Sequence, residues 1–134
     1  MIFASLPLLL ALASPVASAA GEGDDGPHVA VLVSVDDYGA PEINLNSPGQ
    51  DTALLASELA GTSFTVTRAH NVDRARFVET LLEAKKQVGN GVIFFYFSGH
   101  AVQVNGENWL IPRGSTLKTI DQVPLPAASF AQVL

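Results

Sequence analysis

VIFFYFSGH, from Val92 to His100, is the stretch on which the reading of this chain turns. Val92 to Phe97 is unbroken by a polar residue, and its β-branched and aromatic side chains suit a pleated strand. A strand that lacks polar alternation is expected to be covered on both faces, as in a parallel sheet held between helices. This run is the most apolar of the chain after its first twenty residues, so it reads as the central strand. It passes directly into Gly99-His100-Ala101. A titratable imidazole therefore stands where a buried strand emerges.

Working back from it, Gly89-Asn90-Gly91 ends a helix in which Phe77, Val78, Leu81, Leu82 and Val88 recur at three- and four-residue spacings, with Asn71 placed to cap its start. FTVT (Phe64 to Thr67) reads as a short strand. Ser47-Pro48-Gly49-Gln50 has the form of a helix start, with Ser47 as cap, Pro48 at the first helical position and Gln50 three residues on. Leu54, Leu55 and Leu59 follow on one expected face, and Gly61 ends that helix. Further back, VAVLVSV (Val29 to Val35) is another uninterrupted strand. It stops at Asp36-Asp37-Tyr38-Gly39 and a polar loop to Asn46. Downstream of His100, VQV and NWLIP flank Asn105-Gly106, the favoured dipeptide of a tight hairpin. Beyond Arg113 the pattern fades into a Pro- and Ala-rich tail.

The order is strand, helix, strand, helix, strand, hairpin. Right-handed crossovers place the two helices on opposite faces of a parallel sheet. Sites in such sheets form beyond the carboxyl ends of the strands. The loops 36–46 and 99–101 are expected to meet there.

Composition bounds the function. The 134 residues are 48% hydrophobic and 15% charged, enough to bury a core. Acidic residues outnumber basic ones 13 to 7, a formal charge of -6, and the basic residues are scattered. That argues against nucleic acid as a partner and towards a partner carrying positive charge. The sequence has no cysteine, so disulfides, thiolate metal sites and a thiol nucleophile are absent from these residues. There is no Gly-rich phosphate loop and no G-x-S-x-G elbow.

The start reads as an export signal. Leu6 to Leu12 is apolar, Pro15 interrupts, and Ala17-Ser18-Ala19 forms an A-x-A cleavage site. The run is shorter than the roughly 20 apolar residues that span a bilayer. The expected organisation is a signal peptide at 1–19, a linker at 20–27 and one domain at 28–134. The product is secreted or periplasmic, with no membrane span after cleavage.

Among the residues able to carry chemistry, His100 has the side chain and position of a general base; the alternative is a loop-bonding histidine. His28 and His70 have no partner at metal-ligand spacing, and no metal is expected. Asp51 lies in a first helical turn, where the helix dipole alone favours a carboxylate. Asp36-Asp37 at the end of a first strand also occurs in phosphate-receiver domains. Those need a further aspartate after the third strand, where this chain has Ser98-Gly99-His100.

VLVSVDDYGAPEINLNSPGQDTALLASELAG, FTVT and VIFFYFSGHAVQVNGENWLIP resemble the caspase-like cysteine peptidases, in their bacterial and metacaspase-related branch, over roughly Val29 to Pro112. The resemblance implies a three-layer α/β fold, a mainly parallel sheet flanked by helices. It implies an endopeptidase in which His100 acts with a cysteine following a fourth strand. Ala101, where glycine is usual, would offer its backbone N–H to the oxyanion. Asp51, with Asp37 as a second acidic residue, would bind a basic side chain of a peptide or protein substrate, giving cleavage after Arg or Lys. No cofactor is implied. The chain departs from the family in lacking the cysteine. It reaches Leu134 before such a strand, so the expectation is a domain incomplete at its C-terminus. The alternative is a non-catalytic relative that binds without cutting.

Overall fold

A computed structural model describes residues 26–115 and 128–129. The expected signal peptide, most of the linker and the tail other than 128–129 lie outside the described residues. Strands β1 (His28–Ser34), β2 (Phe64–His70) and β3 (Val92–Ser98) form a parallel sheet in the order β2-β1-β3. Helices α1 (Pro48–Leu59) and α2 (Arg74–Val88) connect them, and a 3-10 turn, Pro41–Ile43, lies in the β1–α1 loop. Strands β4 (Ala101–Val104) and β5 (Glu107–Leu110) form the hairpin, with β6 (Ala128–Ser129) antiparallel to β5. Asn105 and Gly106 both have positive φ (53° and 82°), as the tight turn requires. The helix–sheet–helix layering agrees with the fold class expected above. No helix among the described residues is long and apolar enough to cross a membrane.

Side-chain parity along β1 assigns the faces. Val29, Val31, Val33 and Val35 share one buried cluster with Phe77, Leu81, Ala84 and Val88 of α2. The alternate residues face α1, where Thr52 donates to Ser34 Oγ at 3.1 Å. β3 follows the same register: Phe95 and Phe97 meet Phe77 edge-on at 6.2 Å, while Ser98 reaches Asp51 of α1. The chain moves from β1 out to β2 and back past β1 to β3. Right-handed connections in opposite directions leave α1 and α2 on opposite faces.

Several expectations need correction. β1, not β3, is the central strand, and among the described residues β3 pairs only with β1. Both hold uninterrupted apolar runs, yet only β1 is buried along its length; β3 is half-buried with Val92 exposed, so an apolar run gives neither full coverage nor the order of strands. β2 runs to His70, three residues past FTVT, carried on by its pairing with β1. On α1, Leu54 is 65% exposed; the buried line is Pro48 and Thr52, with Leu55 and Leu59 half-buried. On α2, Leu82 is 48% exposed, while Thr80 and Ala84 are buried in its place.

The helix caps differ as well. Ser47 stands at the cap position of α1, but its side chain makes no capping bond. The Asp36 carboxylate does that work across the sheet edge, accepting from Gly49 N–H at 3.3 Å. Asn71 does not cap α2; Asp73 does, its carboxylate accepting from Arg76 N–H at 2.9 Å. Asn71 sits two residues before that cap with φ of 52°, and its side chain turns back to β1.

Candidate active site

β1 and β3 are neighbours whose outgoing chains diverge, the place where open α/β sheets hold their sites. A backbone bond from Val35 N–H to Ser98 carbonyl (3.0 Å) carries their pairing one step past β1. The β1–α1 loop then folds over the end of β3, closed by Leu45 N–H on the Asp36 carbonyl at 2.9 Å.

His100 is the centre of what this loop covers. Its backbone N–H donates to the Tyr38 hydroxyl at 2.6 Å, its carbonyl accepts from Ile111 N–H at 3.0 Å, and its ring lies 4.8 Å from that of Tyr38. Its Nε2 is 2.7 Å from the Ile43 carbonyl. A carbonyl can only accept, so Nε2 holds a proton, and in the neutral ring Nδ1 is the nitrogen that keeps its lone pair. That is the form of imidazole a general base needs. Tyr38 is buried, and burial pushes its phenol up to about 12, so it stays neutral as a support. Gly99 is required by crowding: a Cβ there would lie 2.7 Å from the Tyr38 hydroxyl and 2.8 Å from Phe97 Cζ.

Asp51 comes to the same edge from α1. Its Oδ2 accepts from Ser98 Oγ at 2.8 Å, two residues before His100. Tyr96, on the same face of β3, has its phenol raised by burial, then by the nearby Asp51 charge. Asp51 and His100 are thus joined through the end of β3. Ala101 opens β4, and its φ is not positive, so alanine is accommodated there without backbone strain.

Asp37 has a different environment. Its carboxylate accepts from Gly39 N–H at 2.9 Å, from Asn44 Nδ2 at 3.4 Å, and from Arg113 at 3.0 Å. Arg113 N–H also donates to the Val72 carbonyl at 2.8 Å, so the segment after the hairpin is tied to two loops of the sheet edge. The Gly39 amide, then Arg113, hold the Asp37 carboxyl below its usual range. A lowered folded-state value means that the stabilisation is complete above the unfolded value of 3.8 and is lost as pH falls through the lower folded one. Replacing Arg113 by alanine is expected to raise the Asp37 titration part of the way, since the Gly39 bond remains. Carboxyl carbon NMR reads this, and an unmoved titration would refute any role for the ion pair.

The residues sequence reasoning missed are Tyr38, the Ile43 carbonyl and Ser98. Tyr38 and His100 are 62 positions apart, and no spacing rule joins them. The Ile43 contribution is a backbone atom that any residue type would supply.

Fold and site together define a three-layer α/β domain with a buttressed histidine at its carboxyl edge. The sequence pattern of the caspase domain matches residues 27–131, and the chain belongs to that family, whose members act on protein substrates. No curated protein matches the chain.

Proposed function

We propose that this chain is the histidine-bearing N-terminal part of a secreted caspase-like endopeptidase that cuts after Arg or Lys. The observation that carries this reading is the His100 ring, anchored through Nε2 on the Ile43 carbonyl with Nδ1 left to take a proton. The thiol comes from residues outside these 134, which contain no cysteine. On this reading the thiol gives its proton to His100 Nδ1, and the sulfur attacks the scissile carbonyl carbon. The oxygen, now negative, is met by the Ala101 N–H, and the imidazolium returns its proton to the departing amine. Asp51 supplies the charge for a basic side chain; Ser98 occupies only one of its oxygens. Asp37 stands as a secondary acidic group, its carboxylate already paired with Arg113. Residues 1–19 direct export, 20–27 link, and 28–134 form the domain.

A second reading, a non-catalytic binding module on the same fold, rests on the missing cysteine. A cysteine-directed probe bearing Arg, applied to the full product of the gene read past Leu134, separates the two. Labelling is expected, and Asp51→Asn should cut it by about 100-fold in rate, as when one partner of a desolvated charge pair is removed. Asn keeps an acceptor for Ser98, so the loss reports the charge. Absence of any reactive cysteine would favour the binding module; equal labelling of variant and parent would remove Asp51 from the specificity site.

A further inference from the structure

The end of β2 carries a hydrogen-bonded cluster that the peptidase reading does not use. His70 faces the first turn of α1, so close that a Cβ on Gly49 would lie 2.9 Å from its Cε1. Its Nδ1 is 3.0 Å from Ser34 Oγ. Ser34 is fully buried and also accepts from Thr52. On the other side of the ring, Nε2 is 3.0 Å from Asn71 Nδ2 and 3.4 Å from Asp36 Oδ1.

The Asn71 amide has no freedom to turn over. Its oxygen accepts two backbone N–H groups, those of Asp36 and Asp37, at 3.0 and 2.9 Å. Only the oxygen can do this, so the NH2 group must be the end that meets His70. An NH2 group only donates, so Nε2 must hold a lone pair. With the shorter Asn71 bond made, His70 is neutral with its proton on Nδ1 and aimed at Ser34 Oγ, while the Asp36 carboxylate at 3.4 Å is the acceptor a proton on Nε2 would take.

We propose that His70 is a positioning residue whose charge state sets the β1–α1 loop. Neutral, it holds Asn71 across the Asp36 and Asp37 amides. When it takes a proton from solvent, Nε2–H meets the Asn71 NH2, two donors face each other, and the ring turns to the Asp36 carboxylate. The side chain is 47% exposed, so that proton has access. The ionisable groups around it are Asp36 at the end of β1 and Arg68 on β2, whose guanidinium donates to the Gly49 carbonyl at 3.3 Å. On α1, Asp51 is turned to Ser98. The loop held by Asn71 is the one that brings Tyr38 and Ile43 to His100, so acidification at His70 loosens the support of the candidate base.

The test needs no catalysis. Imidazole nitrogen and backbone amide spectra of the 15N-labelled chain are followed over about pH 5–8, the range in which histidines change charge. At the upper end His70 is expected as the Nδ1–H tautomer. The Asp36 and Asp37 amides should shift with the midpoint of His70, and His70→Gln should lose that shift. Asn71→Asp keeps an acceptor for both amides and gives Nε2–H a carboxylate, so it should raise the His70 midpoint and shrink the amide shift. An Nε2–H tautomer, amides that follow His28 or His100 instead, or an unmoved midpoint in Asn71→Asp would each overturn the proposal. None of these outcomes bears on whether a cysteine completes the site.

Discussion

Replacing His100 by alanine is expected to lower kcat/KM by about 10²–10⁴-fold in the enzyme completed by its cysteine, the range associated with a positioned general base. One atom decides this effect. Nε2 is committed to the Ile43 carbonyl at 2.7 Å, so Nδ1 alone can accept the thiol proton. His100→Gln tests this more sharply. A glutamine amide can still donate to Ile43 but has no basic nitrogen, so it should preserve the fold and lose the same activity. Steady-state cleavage of a basic peptide, with thermal unfolding as the control, checks both variants. Cleavage unchanged in either would dismiss His100 as the base.

The second large effect is on stability. Phe77→Ala is expected to cost about 3–5 kcal/mol, the range for emptying a buried phenylalanine site. Phe77 is 2% exposed at the centre of the α2 face and meets Phe95 and Phe97 edge-on. The loss therefore removes packing between α2 and β3 as well as buried area. Domains of this size hold only about 5–15 kcal/mol in total, so the variant should unfold at markedly lower urea or lose a cooperative transition. Leu82→Ala, on the exposed side of the same helix, is expected within about 0.5 kcal/mol of the parent. Similar losses for the two would contradict the assignment of the buried face.

The elements themselves were legible because each has a local signature. The uninterrupted runs at Val29 and Val92, the glycines after each helix, and Asn105-Gly106 all act over a few residues. Helix faces are less legible. Leucine at 54 and 82 has core spacing but is exposed, while threonine at 52 and 80 is buried. Thr52 donates to Ser34 Oγ and Thr80 to the Arg76 carbonyl. Hydropathy alone does not show that a satisfied hydroxyl can be buried. The caps at Ser47 and Asn71 misled for a related reason. Local pairing rules expect each side chain to serve its own helix, whereas Asp36 and Asn71 serve groups brought near by the sheet.

The sequence by itself determined the helix–sheet–helix layering, the hairpin, and the place of His100 at the carboxyl edge of a strand. Periodicity, turn chemistry and connection handedness are properties of short segments, so they survive without neighbours. The tertiary structure alone decided that β1 is the central strand, that Ile43 and Tyr38 hold His100, and that Ser98 turns Asp51 to the same edge. It also paired Asp37 with Arg113 and Asn71 with the amides of the first loop. Each of these contacts joins residues from separate segments. Hydrogen-bond geometry selects among such partners only after the sheet has set their distances.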